Sequence, residues 1–151
     1  MASLEQALKQ KKFENEHIKA NLNVLFTANW LYNRISGELK PFNVTHEQFN
    51  VLRILKGSHP NPMCQKDILS RMIAPNSNVT LIIKKLIFKK LIKVVQSEED
   101  KREYQINISN SGIELIKEID TKIKQSGKKF NKLNASEAVH LNTLLDKLRE
   151  E

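Results

Sequence analysis

The sequence predicts a mainly α-helical chain carrying one small β-hairpin. Two observations carry that expectation. Apolar residues recur at spacings of three and four along most of its 151 residues, which one buried helix face requires. Only two short runs, Ile92–Gln96 and Tyr104–Ile108, are instead rich in β-branched residues, the second alternating Tyr104, Ile106 and Ile108. With 4 Gly and 4 Pro the chain is poor in breakers, and its length suits one compact domain over residues 1–151.

No proline falls between Leu4 and Leu39, and Ile18, Leu22, Leu25, Phe26 and Trp30 line one face, so a long first helix is expected there. Pro41 and Asn43 stop it. Thr45 and Gln48 then have capping-box spacing, opening a second helix through Phe49, Leu52 and Leu55 that ends near Gly57. Ser58–Pro62 holds two prolines and reads as a loop. QKDILSRMI puts Ile68, Leu69 and Met72 on one side of a short third helix, with Cys64 expected as a small buried residue at its start. After Ala74–Ser77, the run NSNVTLIIKKLIFKKL sets Val79, Ile82, Ile83 and Leu86 along one stripe of a fourth. The polar stretch Ser97–Glu103 is the hairpin tip. Ser109–Gly112 caps a helix carrying Ile113, Ile116, Ile119 and Ile123, and Asn134–Glu137 opens a last one through Leu141, Leu144, Leu145 and Leu148.

Charge narrows the function classes. The balance of 25 Lys+Arg against 17 Asp+Glu leaves +8, which favours a polyanionic partner. Between Pro60 and Asn110 nine bases face five acids, so half of the net charge lies in a third of the chain. One cysteine, Cys64, excludes an intrachain disulfide framework and suits the reducing cytoplasm. The first residues lack an apolar signal core, and no stretch reaches the roughly 18 apolar residues of a membrane span. The four histidines are scattered, and neither a phosphate-binding glycine loop nor a nucleophile motif is present. No enzyme activity, metal or cofactor is expected.

The order of helix, helix, helix-turn-helix, hairpin, helix, helix contains a winged helix-turn-helix. From Gln48 to Ile116 it resembles the MarR family. QKDILSRMI stands at the family's third helix and SNVTLIIKKLIFKKLI at its recognition helix. Asp100-Lys101-Arg102 is similar to the Asp-x-Arg wing signature, and Ser109-x-x-Gly112 to the Thr-x-x-Gly that starts the next helix. One position departs. Where the family has glycine before the first wing strand, in a left-handed conformation, this chain has Lys90. Either Lys90 carries about 1 kcal/mol of strain or the helix ends differently.

The resemblance implies a DNA-binding transcription regulator, a ligand-responsive repressor that binds a pseudo-palindromic operator as a homodimer. Its winged helix lies at about 45–110, and helices at about 4–39 and 110–150 form the dimer. With the Val79 stripe inward, Ser77, Asn78 and Thr80 are set to meet base edges or phosphates, Leu81 a thymine methyl, and Lys84 and Lys85 the backbone. At the wing, Lys101 and Arg102 face DNA, with Arg102 suited to a minor groove, while Asp100 orients the wing. The resemblance also implies a small aromatic or anionic effector between the dimer helices and the DNA-binding lobe. Phe26, Trp30, Tyr32 and His17 suit such a pocket or an ordinary core, so no effector residue is assigned. Redox-sensing members carry their cysteine on the first helix, unlike Cys64. Two other readings stay open: a winged helix used for protein contacts, and a nucleic-acid binder that uses charge alone.

Overall fold

In the computed structural model, which describes residues 3–75, 78–96, 104–130 and 132–150, the chain divides into two compact units, Met1–Ile119 and Asp120–Glu151. The fold class is the expected one: helices and a two-stranded antiparallel hairpin.

The long first helix is in fact two. α1 spans Leu4–Leu8 and α2 spans Glu16–Leu39. Ser3 and Gln6 close a capping box at the start of α1, and Lys9 ends it in a left-handed conformation (φ 53°). Asn15 then restarts the chain, its side chain accepting the Ile18 N–H at 2.9 Å. The apolar periodicity begins only at Ile18, so it never bore on residues 9–15. An asparagine cap inside a proline-free run was the available signal. Phe13, within the break, is 8% exposed, so this connector contributes to the core.

A salt bridge of 2.7 Å from Lys19 to Glu5 ties α1 to α2. That hydrogen bond, with others from the Glu5 backbone N–H and Ser3, holds the Glu5 carboxyl at about 2, against an ordinary 4.5. A depressed carboxylate stabilises the fold above its ordinary value and stops doing so as pH falls toward the folded one. Amide exchange in α1, taken relative to the rate of an unstructured chain at the same pH, is therefore expected to accelerate as pH drops from about 4.5 toward 2. In Glu5→Gln that acid-dependent acceleration should disappear, and its persistence would show that another group is responsible.

A single 3₁₀ turn, Lys40–Phe42, leads to Asn43 (φ 53°) and on to α3, His46–Ser58, which opens with the expected Thr45–Gln48 capping box. Val51, Leu52 and Leu55 on α3 are fully buried, as are Ile68 on α4 (Gln65–Ser70) and Leu86 on α5 (Val79–Phe88). β1 (Ile92–Gln96) and β2 (Tyr104–Ile108) pair in the register Ile92↔Ile108, Val94↔Ile106, Gln96↔Tyr104. Met63, just before α4, exchanges both backbone hydrogen bonds with Ile106, at 3.0 and 2.9 Å. Ile106 and Ile108 point inward, while Tyr104 is exposed.

Lys90 settles the question left by the missing glycine. It adopts the left-handed conformation, with φ 58°. Its N–H donates to Ile87 O at 2.8 Å and the Leu91 N–H to Leu86 O at 3.0 Å, the two bonds of a Schellman stop. The helix thus ends as it would with glycine, and lysine bears the cost of its Cβ. Lys90→Gly is expected to stabilise the chain by about 1 kcal/mol, read as a rise of roughly 2–4 °C in Tm. An unchanged or lower Tm would contradict this account.

α6, Asn110–Phe130, begins in the first unit, where Ile116 and Ile119 are fully buried. Ser109 caps it: its Oγ accepts the Gly112 N–H at 3.0 Å and donates to Lys90 O at 2.8 Å. In the second unit α7, Ala135–Leu148, starts on an Asn134–Glu137 capping box. Its Val139, Leu141, Leu144 and Leu148 are all exposed. Among the described residues no helix is long and apolar enough to cross a membrane.

Candidate nucleic-acid interface

α4 and α5 are the two helices of the helix-turn-helix. α5 buries Val79, Ile82, Ile83 and Leu86 against the core, the stripe expected from its spacing. Thr80, Leu81, Lys84 and Lys85 consequently face solvent. Asn78 is exposed as well and acts as the helix cap, its Oδ1 accepting the Leu81 N–H at 3.1 Å, which leaves the amide N–H groups for another partner. From Asn78 to Gln96 the sequence has five lysines and no acid, so every charged side chain in this stretch is cationic. Ser77, Asp100, Lys101 and Arg102 lie outside the described residues.

Lys89, counted above with the bases, is used internally. Its ammonium donates to the Asn43 carbonyl and, at 2.9 Å, to Gln48 Oε1. Burial, and then the charge of Lys85, lowers its pKa below the ordinary lysine value. Gln48 is almost fully buried, and the same Oε1 accepts the Thr45 N–H. The C-terminal end of α5 is thereby fastened to the junction between α2 and α3. Periodicity cannot show this, because a lysine at a helix end normally signals solvent.

An open cleft of about 300 Å³ separates the first turn of α3 from α5. Thr45, Glu47 and Gln48 line one side, and Asn78, Leu81, Ile82 and Lys85 the other. Behind it α2 meets α3: the Tyr32 hydroxyl donates to Glu47 at 3.3 Å, and the His46 ring lies flat on the Tyr32 ring at 4.2 Å. The His46 Nε2–H donates to the Tyr32 carbonyl at 3.0 Å. Trp30, Phe26 and Tyr32 are between 40% and 47% exposed, so they do not form a closed core. Cys64, expected to be buried, is half-buried instead, because it sits at the cap position before α4 where the chain is still near the surface. Among the described residues no group of three or more His, Cys, Asp or Glu is placed to hold a metal ion.

The sequence reading overlooked Gln65. It heads α4 on the solvent side, and its Nε2 donates to the Thr80 hydroxyl at 2.8 Å, across the turn. An exposed amide next to the expected reading helix was the only hint.

The model of the MarR family matches residues 44–104, from just before the α3 cap to the first residue of β2. Over this segment, less than half of the chain, the sequence is similar to the MarR family. Solved structures extend the likeness of fold to most of the chain. A MarR-like transcription regulator from Bacillus cereus superposes with a TM-score of 0.77 at 19% identity, covering 89% of this chain and 96% of its own. A cysteine-to-serine mutant of MarR from E. coli, solved with operator DNA, gives 0.76 at 19% identity, covering 93% and 100%. BpsR from Bordetella bronchiseptica, whose DNA binding is regulated by 6-hydroxynicotinic acid, gives 0.67 at 22%, covering 85% and 99%. No curated protein sequence matches the chain closely enough to count as a relative. The chain has the fold of these MarR structures.

Proposed function

We propose that this chain is a sequence-specific, double-stranded-DNA-binding transcription regulator of the cytoplasm with no catalytic activity. One observation carries the reading: the outward face of α5 offers Thr80, Leu81, Lys84 and Lys85 with no acid from Asn78 to Gln96. In a major groove such a helix sets short polar groups at base edges and lysines at phosphates. Ser77, Asn78, Thr80 and Leu81 are the reading residues, and Lys84 and Lys85 the backbone contacts. Lys101 and Arg102 are the wing contacts, with Asp100 orienting them.

The active form is a homodimer on a pseudo-palindromic operator, acting as a repressor. The winged helix, at about 45–110, reads DNA, while the helices at about 4–39 and 110–150 pair with a second copy. Exposed Leu25, Phe26 and Trp30 on α2, and Val139, Leu144 and Leu148 on α7, supply apolar surface for that pairing. BpsR supports a small aromatic or anionic effector that releases the DNA.

Selection of genomic fragments on the purified protein tests the reading. It expects one enriched, near-palindromic motif, with log K falling against log salt by about 0.9 per neutralised phosphate. Salt-dependent binding with no motif would mean that charge alone acts. A winged helix used for protein contacts draws support from Ile73 and Phe88, which are 90% and 87% exposed, and it expects no duplex binding at all.

A further inference from the structure

The Gln65–Thr80 pair joins the two helices of the helix-turn-helix on their solvent side, and no packing need accounts for it. Both residues are exposed, so water would satisfy either group. The bond's effect is on direction. A threonine hydroxyl has one proton to give and two lone pairs. Gln65 Nε2 donates to one lone pair at 2.8 Å, so the Thr80 proton must point away from that amide. Threonine in a helix often gives this proton to the carbonyl four residues back. Thr80 is the second residue of α5, which begins at Val79, so α5 has no carbonyl at that position. The proton is left for a partner outside the helix.

We propose that Gln65 is a positioning residue that presents the Thr80 hydroxyl as a hydrogen-bond donor to an acceptor on a base edge in the major groove. The acceptors of matching chemistry are guanine O6 and N7, adenine N7 and thymine O4; cytosine offers an amino donor there instead. One base-pair position of the bound motif therefore depends on a residue that does not touch it. This inference rests on the DNA-reading role proposed above and extends it to a specificity determinant.

The test starts from the motif selected with the unaltered protein. Binding is then measured on a panel of duplexes that changes each base pair in turn, with 7-deazapurines added to remove N7. The unaltered protein is expected to lose about five- to tenfold at one position when its acceptor is removed. Thr80→Val and Gln65→Ala should each flatten the preference at that position alone, and the double variant should do no more than either single one. Gln65→Glu offers only acceptors, so it captures the Thr80 proton and should lose the preference for an acceptor at the same position. Because both side chains are exposed, far-UV circular dichroism and Tm should stay within error of the parent. If Gln65→Ala weakens every duplex equally, or leaves every preference intact, the inference is overturned while DNA reading stands. If no motif is selected at all, both fall.

Discussion

Gly112→Ala is expected to destabilise the chain by about 3 kcal/mol, read as a fall of about 10 °C in Tm. A Cβ at this position would lie 2.3 Å from the Leu91 carbonyl oxygen and 2.7 Å from Cγ1 of Ile108. Neither neighbour can give way easily. The Leu91 carbonyl accepts the Ser109 N–H at 3.0 Å, and Ile108 is 4% exposed within the β2 pairing. Moving the start of α6 would pull Ser109 away from Lys90, and with it the junction between α5 and the wing. Glycine is demanded here by close approach and not by an unusual φ. Thermal melts of Gly112→Ala beside Gly57→Ala provide the comparison, since a Cβ at Gly57 meets nothing within 4 Å. Equal melting temperatures would show that the close approach carries no cost.

The second large effect concerns binding. Lys84→Glu and Lys85→Glu reverse two exposed charges on a helix that carries no acid of its own. If both meet phosphates, each substitution should weaken duplex binding about tenfold near physiological salt, and equally for matched and mismatched sites. The slope of log K against log salt should shrink by about 0.9 for each lysine removed. Fold is not at stake, because the buried stripe Val79, Ile82, Ile83 and Leu86 is untouched. A variant that keeps its slope would place that lysine away from the DNA backbone. Lys89 provides the contrast. Replacing it should act through stability, since its ammonium is committed to Asn43 and Gln48.

What was legible in the sequence follows what short-range physics encodes. The stripe of α5, the Thr45–Gln48 box and both strands are local signals, and each appears with the expected bounds or within a residue or two. The left-handed Lys90 was legible only as an alternative, because the stop it forms depends on whether Leu91 can pack inward. The break between α1 and α2 was missed for a different reason. Residues 9–15 carry no proline or glycine, and the decisive group is one asparagine side chain. Lys89 and Gln65 were beyond reach, since their partners lie 15 to 46 residues away and nothing in the spacing marks them. Long-range polar pairs are chosen by the assembled fold.

The pairing of Met63 with Ile106 has a consequence for how copies of this chain meet. A two-stranded ribbon leaves an open row of backbone donors and acceptors along each side, a template onto which another ribbon can add. Here Met63 occupies the outer side of β2 at its centre. The other side belongs to β1, whose second residue is the exposed Lys93, a charge that discourages strand addition. Wing-to-wing polymerisation through the backbone is thus blocked on one edge and repelled on the other. The homodimer proposed above would then form through the helical surfaces, where association can close into a defined pair instead of growing without end.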